Sequence, residues 1–206
     1  MFITRTRATV LAVTAASALL LAACGDDTES ATHDTHSTTS SASATSATAA
    51  ARTDFNDADV TFLQMMYPHH AQAVEMAKMV PGHTQNQQLI ALAAAVEKAQ
   101  APEMQQITGL LVSFGKPAPS ASGGHEGHAM PGMMTEAQMT ALQSAQGAEF
   151  DKQWLAMMID HHEGAVDMAR TELAGGVNPE SRQLATAIVA AQEAEITTMR
   201  GMLGQG

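Results

Sequence analysis

Residues 62–79 read FLQMMYPHHAQAVEMAKM, and residues 154–171 read WLAMMIDHHEGAVDMART. The two stretches lie ninety-two positions apart, align without a gap and share nine identical residues, including paired methionines and paired histidines. The same offset continues further along the chain, where it pairs Asn86 with Asn178, Leu92 with Leu184, Gln100 with Gln192, Glu103 with Glu195 and Leu111 with Leu203. The chain therefore contains one two-segment unit that is used twice.

Both segments of each unit have the spacing of a helix, with buried-type residues three or four positions apart, as in Leu63, Met66, His70 and Val74. Local end signals agree: Pro81-Gly82 and Gly175-Gly176 end the first helix of each copy, Asn178-Pro179 starts the last one, and Thr135 begins a capping box for a short extra helix. Two helical hairpins can bury their apolar faces only against each other. We therefore predict an all-α four-helix bundle with approximate twofold symmetry, built from repeats 54–115 and 147–206.

Two prolines interrupt these helical patterns. Pro68 lies just before the first histidine pair, and Pro102 lies within the second helix of the first copy. Proline lacks the amide hydrogen and clashes with the preceding turn, so each is expected to kink its helix or to restart it.

The N-terminus has the pattern of a bacterial lipoprotein. Arg5 and Arg7 precede a mostly small and apolar run that closes with LAACG, in which the cysteine is Cys24. We predict a signal peptide over 1–23, lipidation of Cys24, a disordered Ser/Thr-rich tether over 24–53 and a helical domain over 54–206. The mature protein is thus expected outside the cytoplasm, anchored to the cell membrane. An ordinary cleaved signal with an incidental cysteine is the alternative.

Charge and cysteine content restrict the chemistry. The net charge of −11 argues against nucleic acid as a partner. Cys24 is the only cysteine, so its lipidation leaves the mature chain without a thiol. A metal site in this protein therefore has to be made from histidine, methionine and carboxylate side chains.

The repeated block supplies such side chains at helical spacing. On each first helix one face carries a Met-His-Met stripe, and each second helix adds a carboxylate that can orient a histidine or bind the ion itself. The stripes are Met66, His69 and Met76, and Met158, His161 and Met168; the neighbouring candidates are Met65, His70, Met157 and His162, and the carboxylates are Glu103 and Glu195. The alternative is that the methionines fill the core and the histidines make buried hydrogen bonds.

The linker at 116–134 contains a further cluster, HEGHAMPGMM, over residues 125–134. It places His125, His128, Met130, Met133 and Met134 within ten residues. Thioethers bind Cu(I) well and have no proton to lose, whereas zinc prefers His, Cys and carboxylate and calcium prefers oxygen. The linker therefore favours copper, with Ag(I) as a surrogate, over an incidental Met-rich segment.

These blocks, together with MPGMM and the two AQ-x-x-E segments at Ala99 and Ala191, resemble the bacterial family named domain of unknown function 305. That family includes CopM-like periplasmic copper-binding proteins. The resemblance covers nearly all of the chain from Asp54 onward. It implies a ferritin-like four-helix bundle, an extracytoplasmic location and, for characterised members, copper binding in resistance or trafficking.

The sequence thus predicts a copper-binding protein, without enzymatic activity, that sequesters copper or passes it to a partner protein. His69, His70, His161 and His162 are the expected principal ligands, with Met65, Met66, Met157 and Met158 as soft partners and the linker cluster as a mobile capture site. Two other functions stay open. One is a metal-free structural or interaction module of the envelope. The other is a di-metal redox enzyme, which typically needs a Glu-x-x-His pattern that neither repeat contains.

Overall fold

Five helices make up most of residues 52–120 and 130–204, which are the residues that the computed structural model describes. They are α1 (Asp57–His83), α2 (Gln87–Ser113), α3 (Glu136–Ser144), α4 (Gly147–Gly175) and α5 (Pro179–Met202). This part of the chain contains no strand, so the all-helical prediction is confirmed, with a short fifth helix beside the four long ones. The signal peptide, Cys24, the tether to residue 51, His125 and His128 lie outside the described residues.

Side chains cap most of the helix starts. Asn56 and Asp59 form a reciprocal capping box at α1, and Thr135 and Gln138 form one at α3, where the sequence predicted it. Asn86 and Asn178 occupy matching N-cap positions before α2 and α5. Each caps the second helix of its copy, so the repeat extends to the helix boundaries.

The prolines do not divide the helices. Pro68 and Pro102 lie inside unbroken α1 and α2, so the predicted restarts are wrong. α1 also continues through Pro81-Gly82 to His83, whose ring nitrogens lie 2.7 and 3.0 Å from the carbonyl oxygens of Met79 and Gln143. Tertiary packing around a buried residue such as Pro68 compensates for the one missing backbone hydrogen bond.

Three residues join α1 to α2 and three join α4 to α5, so each copy of the repeat is an antiparallel hairpin. The hairpins meet mainly through α1 and α4, and α3 packs on the same two helices. Hydrogen bonds also connect the two copies at the ends of the helices. Asp59 accepts a hydrogen bond from the backbone amide of Asn178, and Asp151 accepts one from the side chain of Asn86. Asp59 and Asp151 occupy equivalent positions, which is the relation that twofold symmetry requires.

The apolar interior consists of two clusters at opposite ends of the helices. One cluster joins the second half of α1 to the first half of α4, through residues such as Met76, Trp154 and Met158. The other joins the first half of α1 to the second half of α4, through Met66 and Met168 among others. Polar residues lie between the clusters on all four long helices and are buried. They form the histidine layer, which consists of His69, His70, Gln100, His161, His162 and Gln192.

Among the described helices, none combines the length and the apolar character that a membrane crossing requires.

Candidate metal centre

The four paired histidines meet at the centre of the protein. All four have 0% exposed surface, and they come from equivalent turns of α1 and α4. The rings of His69 and His161 lie with their centroids 3.8 Å apart, at an angle of 42°. The antiparallel crossing of α1 and α4 therefore brings the two copies of the His-His pair into one place.

His70 and His162 each contact one carboxylate from the second helix of the same hairpin. His70 Nε2 lies 2.7 Å from Glu103 Oε2, and His162 Nε2 lies 2.7 Å from Glu195 Oε2. Each carboxylate is about one-fifth exposed, so it connects a buried imidazole to the surface. The identical distances show that both copies keep the same arrangement. Orientation of a ligand by these carboxylates stays a prediction.

His69 has a different partner. Its Nε2 lies 3.0 Å from the carbonyl oxygen of Pro131, in the segment that precedes α3. Carbonyl and carboxylate oxygens only accept hydrogen bonds, so Nε2 is the protonated nitrogen in His69, His70 and His162. In the neutral ring the lone pair is then on Nδ1.

None of these Nδ1 atoms has a hydrogen-bond partner. The Nδ1 atoms of all four histidines are buried and unpartnered, and in His161 Nε2 is unpartnered as well. Both polar atoms of the Gln100 amide and the Gln192 carbonyl oxygen, in the same layer, also lack partners. Buried polar groups normally have hydrogen-bond partners. The unpartnered atoms of this layer are therefore available to bind a ligand.

Burial keeps the central pair neutral. Loss of hydration lowers the pKa of His69 to about 3, and the positive charges that His70 and His162 can carry act in the same direction. Burial also lowers the pKa of His161 well below its usual value, and His69 adds to the effect. Their lone pairs are therefore available at neutral pH without loss of a proton.

The methionines of the two stripes are divided between the apolar clusters. Met66 and Met168 belong to one cluster, and Met158 and Met76 belong to the other. All four are buried and fill core positions, which agrees with the packing alternative. Met65 and Met157 are only partly buried. Each stripe thus extends away from the histidine layer in both directions.

Residues 130–134, which we call the strap, cross the layer at α4. The backbone amide of Met134 donates a hydrogen bond to the Gln72 side chain at 2.7 Å, and its carbonyl oxygen accepts one from the same side chain at 2.9 Å. A Cβ atom on Gly164 would lie 2.1 Å from the carbonyl oxygen of Pro131, and one on Gly132 would lie 2.5 Å from that of Asp160. The strap is packed against the helices, and Met134 is a core residue. The metal-capture role that the sequence predicted for this segment, together with His125 and His128, stays a prediction.

Sequence reasoning did not identify the strap contacts. A carbonyl group such as that of Pro131 leaves no mark in the sequence. The repeat nevertheless contained an indirect signal, because Gln72 and Gly164 occupy equivalent positions in the two copies and differ completely. Both contact the strap. The strap belongs to neither copy of the repeat, so its contacts require different residues at the two equivalent positions.

Within 52–120 and 130–204, no three His, Cys, Asp or Glu side chains are grouped so that they could hold one metal ion. A metal at the histidine layer therefore has to use fewer imidazoles, accept thioether ligands or shift the helices.

Comparison with known proteins places these features in a family. The sequence model of a family described as domain of unknown function (DUF305) matches residues 59–203. No curated protein sequence matches the chain.

Solved structures give closer comparisons. A putative secreted protein DUF305 from Streptomyces coelicolor is 32% identical, with a TM-score of 0.66, over 72% of this chain and 93% of that one. A DUF305 fragment from Deinococcus radiodurans is 34% identical, with a TM-score of 0.66, over 73% of this chain and 98% of that one. CopM in its Cu(II)-bound form is 33% identical, with a TM-score of 0.61, over 70% of this chain and 94% of that one. CopM structures in Cu(I)-bound and Ag-bound forms are also similar.

Proposed function

This chain belongs to the DUF305 family, and from that premise we propose that it is an extracytoplasmic copper-binding protein that takes up copper chiefly as Cu(I). In this proposal the histidine layer holds the ion, and the protein sequesters copper or transfers it to a partner protein. The proposal assigns no catalytic step to the chain.

One observation carries the proposal. The layer contains five ring nitrogens that are buried and without hydrogen-bond partners, and both copies of the repeat contribute them. A structural histidine satisfies both nitrogens when it can, since an unpaired buried polar atom costs about 1–3 kcal/mol. Four of the five can offer a lone pair, since one nitrogen of His161 carries the ring proton, and an ion that accepts such lone pairs reduces that cost.

The ligand types favour copper over other metals. Imidazole binds both oxidation states of copper, and thioethers one turn away, on Met66 and Met158, favour Cu(I). Cu(I) also accepts two or three ligands, which suits a layer in which no three His, Cys, Asp or Glu side chains of the described residues are grouped. The bound forms of CopM support this choice.

The proposed location outside the cytoplasm rests on the N-terminal signal pattern and on the similarity to a secreted-type protein from Streptomyces coelicolor. Anchoring through lipid on Cys24 belongs to the same proposal. A ferritin-like arrangement of the four long helices is also part of the proposal, and the pairing of the helices into two hairpins supports it.

A loading experiment tests the function. The mature protein is incubated anaerobically with Cu(I) or Ag(I), and bound metal is measured after gel filtration. We expect uptake by the wild type and its loss in His69→Leu/His161→Leu, whereas His83→Leu, which removes a histidine of α1 outside the layer, keeps it.

Two results would overturn the proposal. One is a wild-type protein that binds neither ion, and the other is unchanged uptake by the folded double variant. If circular dichroism shows the double variant to be unfolded, His161→Leu replaces it. His161 has no hydrogen bond to lose, so its removal is the mildest change to the layer.

A metal-free envelope module is the second candidate. The hydrogen bonds of His70 and His162 to carboxylates favour it, because such a bond can hold a buried ring in place without a metal ion. It predicts a melting temperature that copper, silver and zinc leave unchanged, whereas a protein that binds an ion in its folded state is stabilised by it.

A further inference from the structure

The histidine layer is closed to solvent, so an ion that binds there needs a path from the surface. A cavity of about 420 Å³ lies between the first half of α1 and the second half of α4. Its walls include Met65 from α1 and Met168 from α4, so both copies contribute a thioether.

The inner part of this cavity reaches the strap. Pro131 lines it, and the carbonyl group of the same residue accepts the hydrogen bond from His69. Met65 lies one helical turn before His69 on α1. One residue of the strap, Pro131, therefore both lines the cavity and contacts the layer.

The outer part of the cavity carries negative charge. Asp57 and Asp167 line it and are exposed. The net charge of the whole chain is −11, so nearby cations are attracted to the surface and concentrated at such a mouth. The cavity thus combines carboxylates, which attract cations, with thioethers, which prefer a soft ion such as Cu(I).

The equivalent region of the other copy has different contacts. There Trp154 replaces Phe62, and its indole N–H donates a hydrogen bond to the Met76 carbonyl at 2.9 Å. Met76, the counterpart of Met168, is fully buried in the core, and α3 packs on the same two helices. The two copies therefore differ in packing, and the cavity with Met65 lies at the end that has Phe62.

We propose that this cavity is the path by which Cu(I) reaches the histidine layer, with the thioethers of Met65 and Met168 as intermediate ligands. The inference rests on the proposed function and adds a direction of entry to it. Thioethers suit an intermediate position because they bind the ion without losing a proton and release it to imidazole by ligand exchange.

The test separates the rate of loading from the affinity. Apo protein is mixed anaerobically with the coloured Cu(I) complex of bicinchoninate, and transfer is followed by loss of colour. In Met65→Leu/Met168→Leu the rate should fall roughly tenfold, because a path without its intermediate ligands has a higher barrier. Equilibrium affinity, measured by competition with the same chelator, should fall by much less than the rate does.

Two comparisons control for general effects of the substitution. Leucine conserves apolar volume, so each change is expected to cost less than about 1.5 kcal/mol of stability. Met79→Leu/Met202→Leu alters two partly buried methionines far from the cavity lining and should load at the wild-type rate. Met157→Leu/Met76→Leu alters the counterparts in the repeat and should slow loading less than the cavity pair does.

Equal slowing by the cavity pair and its counterparts overturns the inference, and so does an unchanged rate in the cavity pair. A fall in affinity that matches the fall in rate also overturns it, since Met65 and Met168 would then be ligands of the final site. These failures leave wild-type binding intact, so they are distinct from failure of the proposed function, in which the wild type takes no copper from the chelator.

Discussion

The imidazole rings of His69 and His161 lie with their centroids 3.8 Å apart, although the two residues belong to different copies of the repeat. Both rings are fully buried. Two charged imidazolium rings at this distance would repel each other without water to screen them. The folded protein therefore keeps the pair neutral, which links its stability to pH.

Acid should destabilise the protein through this pair. The pKa of His69 is about 3 in the folded state against an ordinary value of 6.5, so below pH 6.5 the unfolded chain binds more protons. The free energy of unfolding then falls as the pH drops from 6.5 towards 3, by up to about 1.4 kcal/mol per pH unit for each such imidazole. Urea unfolding between pH 7 and 5 measures this contribution as a difference from a variant without the two rings, because Glu172 acts in the opposite direction in both proteins.

The matched comparison is His69→Leu/His161→Leu, which has neither titrating ring. Its free energy of unfolding should change less between pH 7 and 5 than that of the wild type. Parallel curves for the two proteins would mean that the pair does not control acid stability.

The carboxylates of Glu103 and Glu195 should set the metal affinity. Each accepts the Nε2–H of its histidine at 2.7 Å, and we predict that this hydrogen bond orients the ring for binding through Nδ1. Glu195→Gln leaves the shape intact but weakens this hydrogen bond, and outer partners of this kind typically change metal affinity by about 10–100-fold. Competition with a Cu(I) chelator measures the change.

Glu193→Gln is the control for this prediction. Glu193 lies on the same helix and pairs at the surface with Arg170, away from the layer. The Glu193→Gln variant should leave the Cu(I) affinity unchanged. If both variants lose affinity equally, the effect is one of overall charge and not of ligand orientation.

The strap should depend on Gly164. A methyl group there would lie 2.1 Å from the Pro131 carbonyl oxygen, which is backbone and cannot move aside alone. Gly164→Ala should therefore lower the free energy of unfolding by about 1–3 kcal/mol and displace the strap from His69. Thermal or urea unfolding gives the first effect, and the His69 ring resonances in an NMR spectrum report the second.

Gly109→Ala is expected to change the free energy of unfolding in the opposite direction. Gly109 lies inside α2, and a Cβ atom there would meet nothing within 4 Å. Alanine is the better helix former, so this variant should gain about 0.5–1 kcal/mol. Stabilisation by both alanines would show that the strap does not lie against Gly164.

The repeat explains why so much of the fold was predictable. An offset of ninety-two residues that persists through Glu195 fixes two helices per copy, and Thr135 starts α3 as its capping box predicts. The offset also keeps each histidine in register with its carboxylate, as His70 with Glu103 shows. Helical periodicity depends on residues that are close together in the chain, and a repeat is visible as two similar segments. Both can therefore be recognised in a single sequence.

The features that were missed depend on contacts between distant segments. Pro68 and Pro102 carry a local preference for a break, but packing along α1 and α2 outweighs it. The strap position depends on the Pro131 carbonyl group and on space beside Gly164, and neither has a side chain that shows its role. The cavity arises where the copies differ, at Phe62 in place of Trp154, so symmetry could not predict it.

A buried acid at the end of α4 leads to a pH effect opposite to that of the histidines. Glu172 is buried beside Asp59, and burial together with that neighbouring carboxyl raises the pKa of Glu172 to about 8, from an ordinary 4.5. Although burial acts to raise it, hydrogen bonds from the backbone amides of Asn56 and Asn178 keep the pKa of Asp59 below its usual value. Glu172 is thus the member of the pair that retains the proton.

At Glu172 the folded protein consequently binds more protons than the unfolded chain between pH 4.5 and 8. Its free energy of unfolding falls as the pH rises through this window, by at most about 1.4 kcal/mol per pH unit from this group. Glu172→Gln keeps a neutral side chain of the same shape at every pH. The variant should therefore gain stability relative to the wild type as the pH is raised from 5 to 8, in urea unfolding at each pH.

Glu75→Gln removes an exposed carboxylate of α1 and should follow the wild type across the same range. A Glu172→Gln curve parallel to the wild-type curve would mean that Glu172 is ionised in the folded protein at pH 5. The carboxylate would then be stabilised by the positive charge of Arg182 or by a bound cation, because neither of its oxygens has a hydrogen-bond partner. Repeating the wild-type measurement in a chelating buffer would distinguish that case, since removal of a cation would restore the predicted slope.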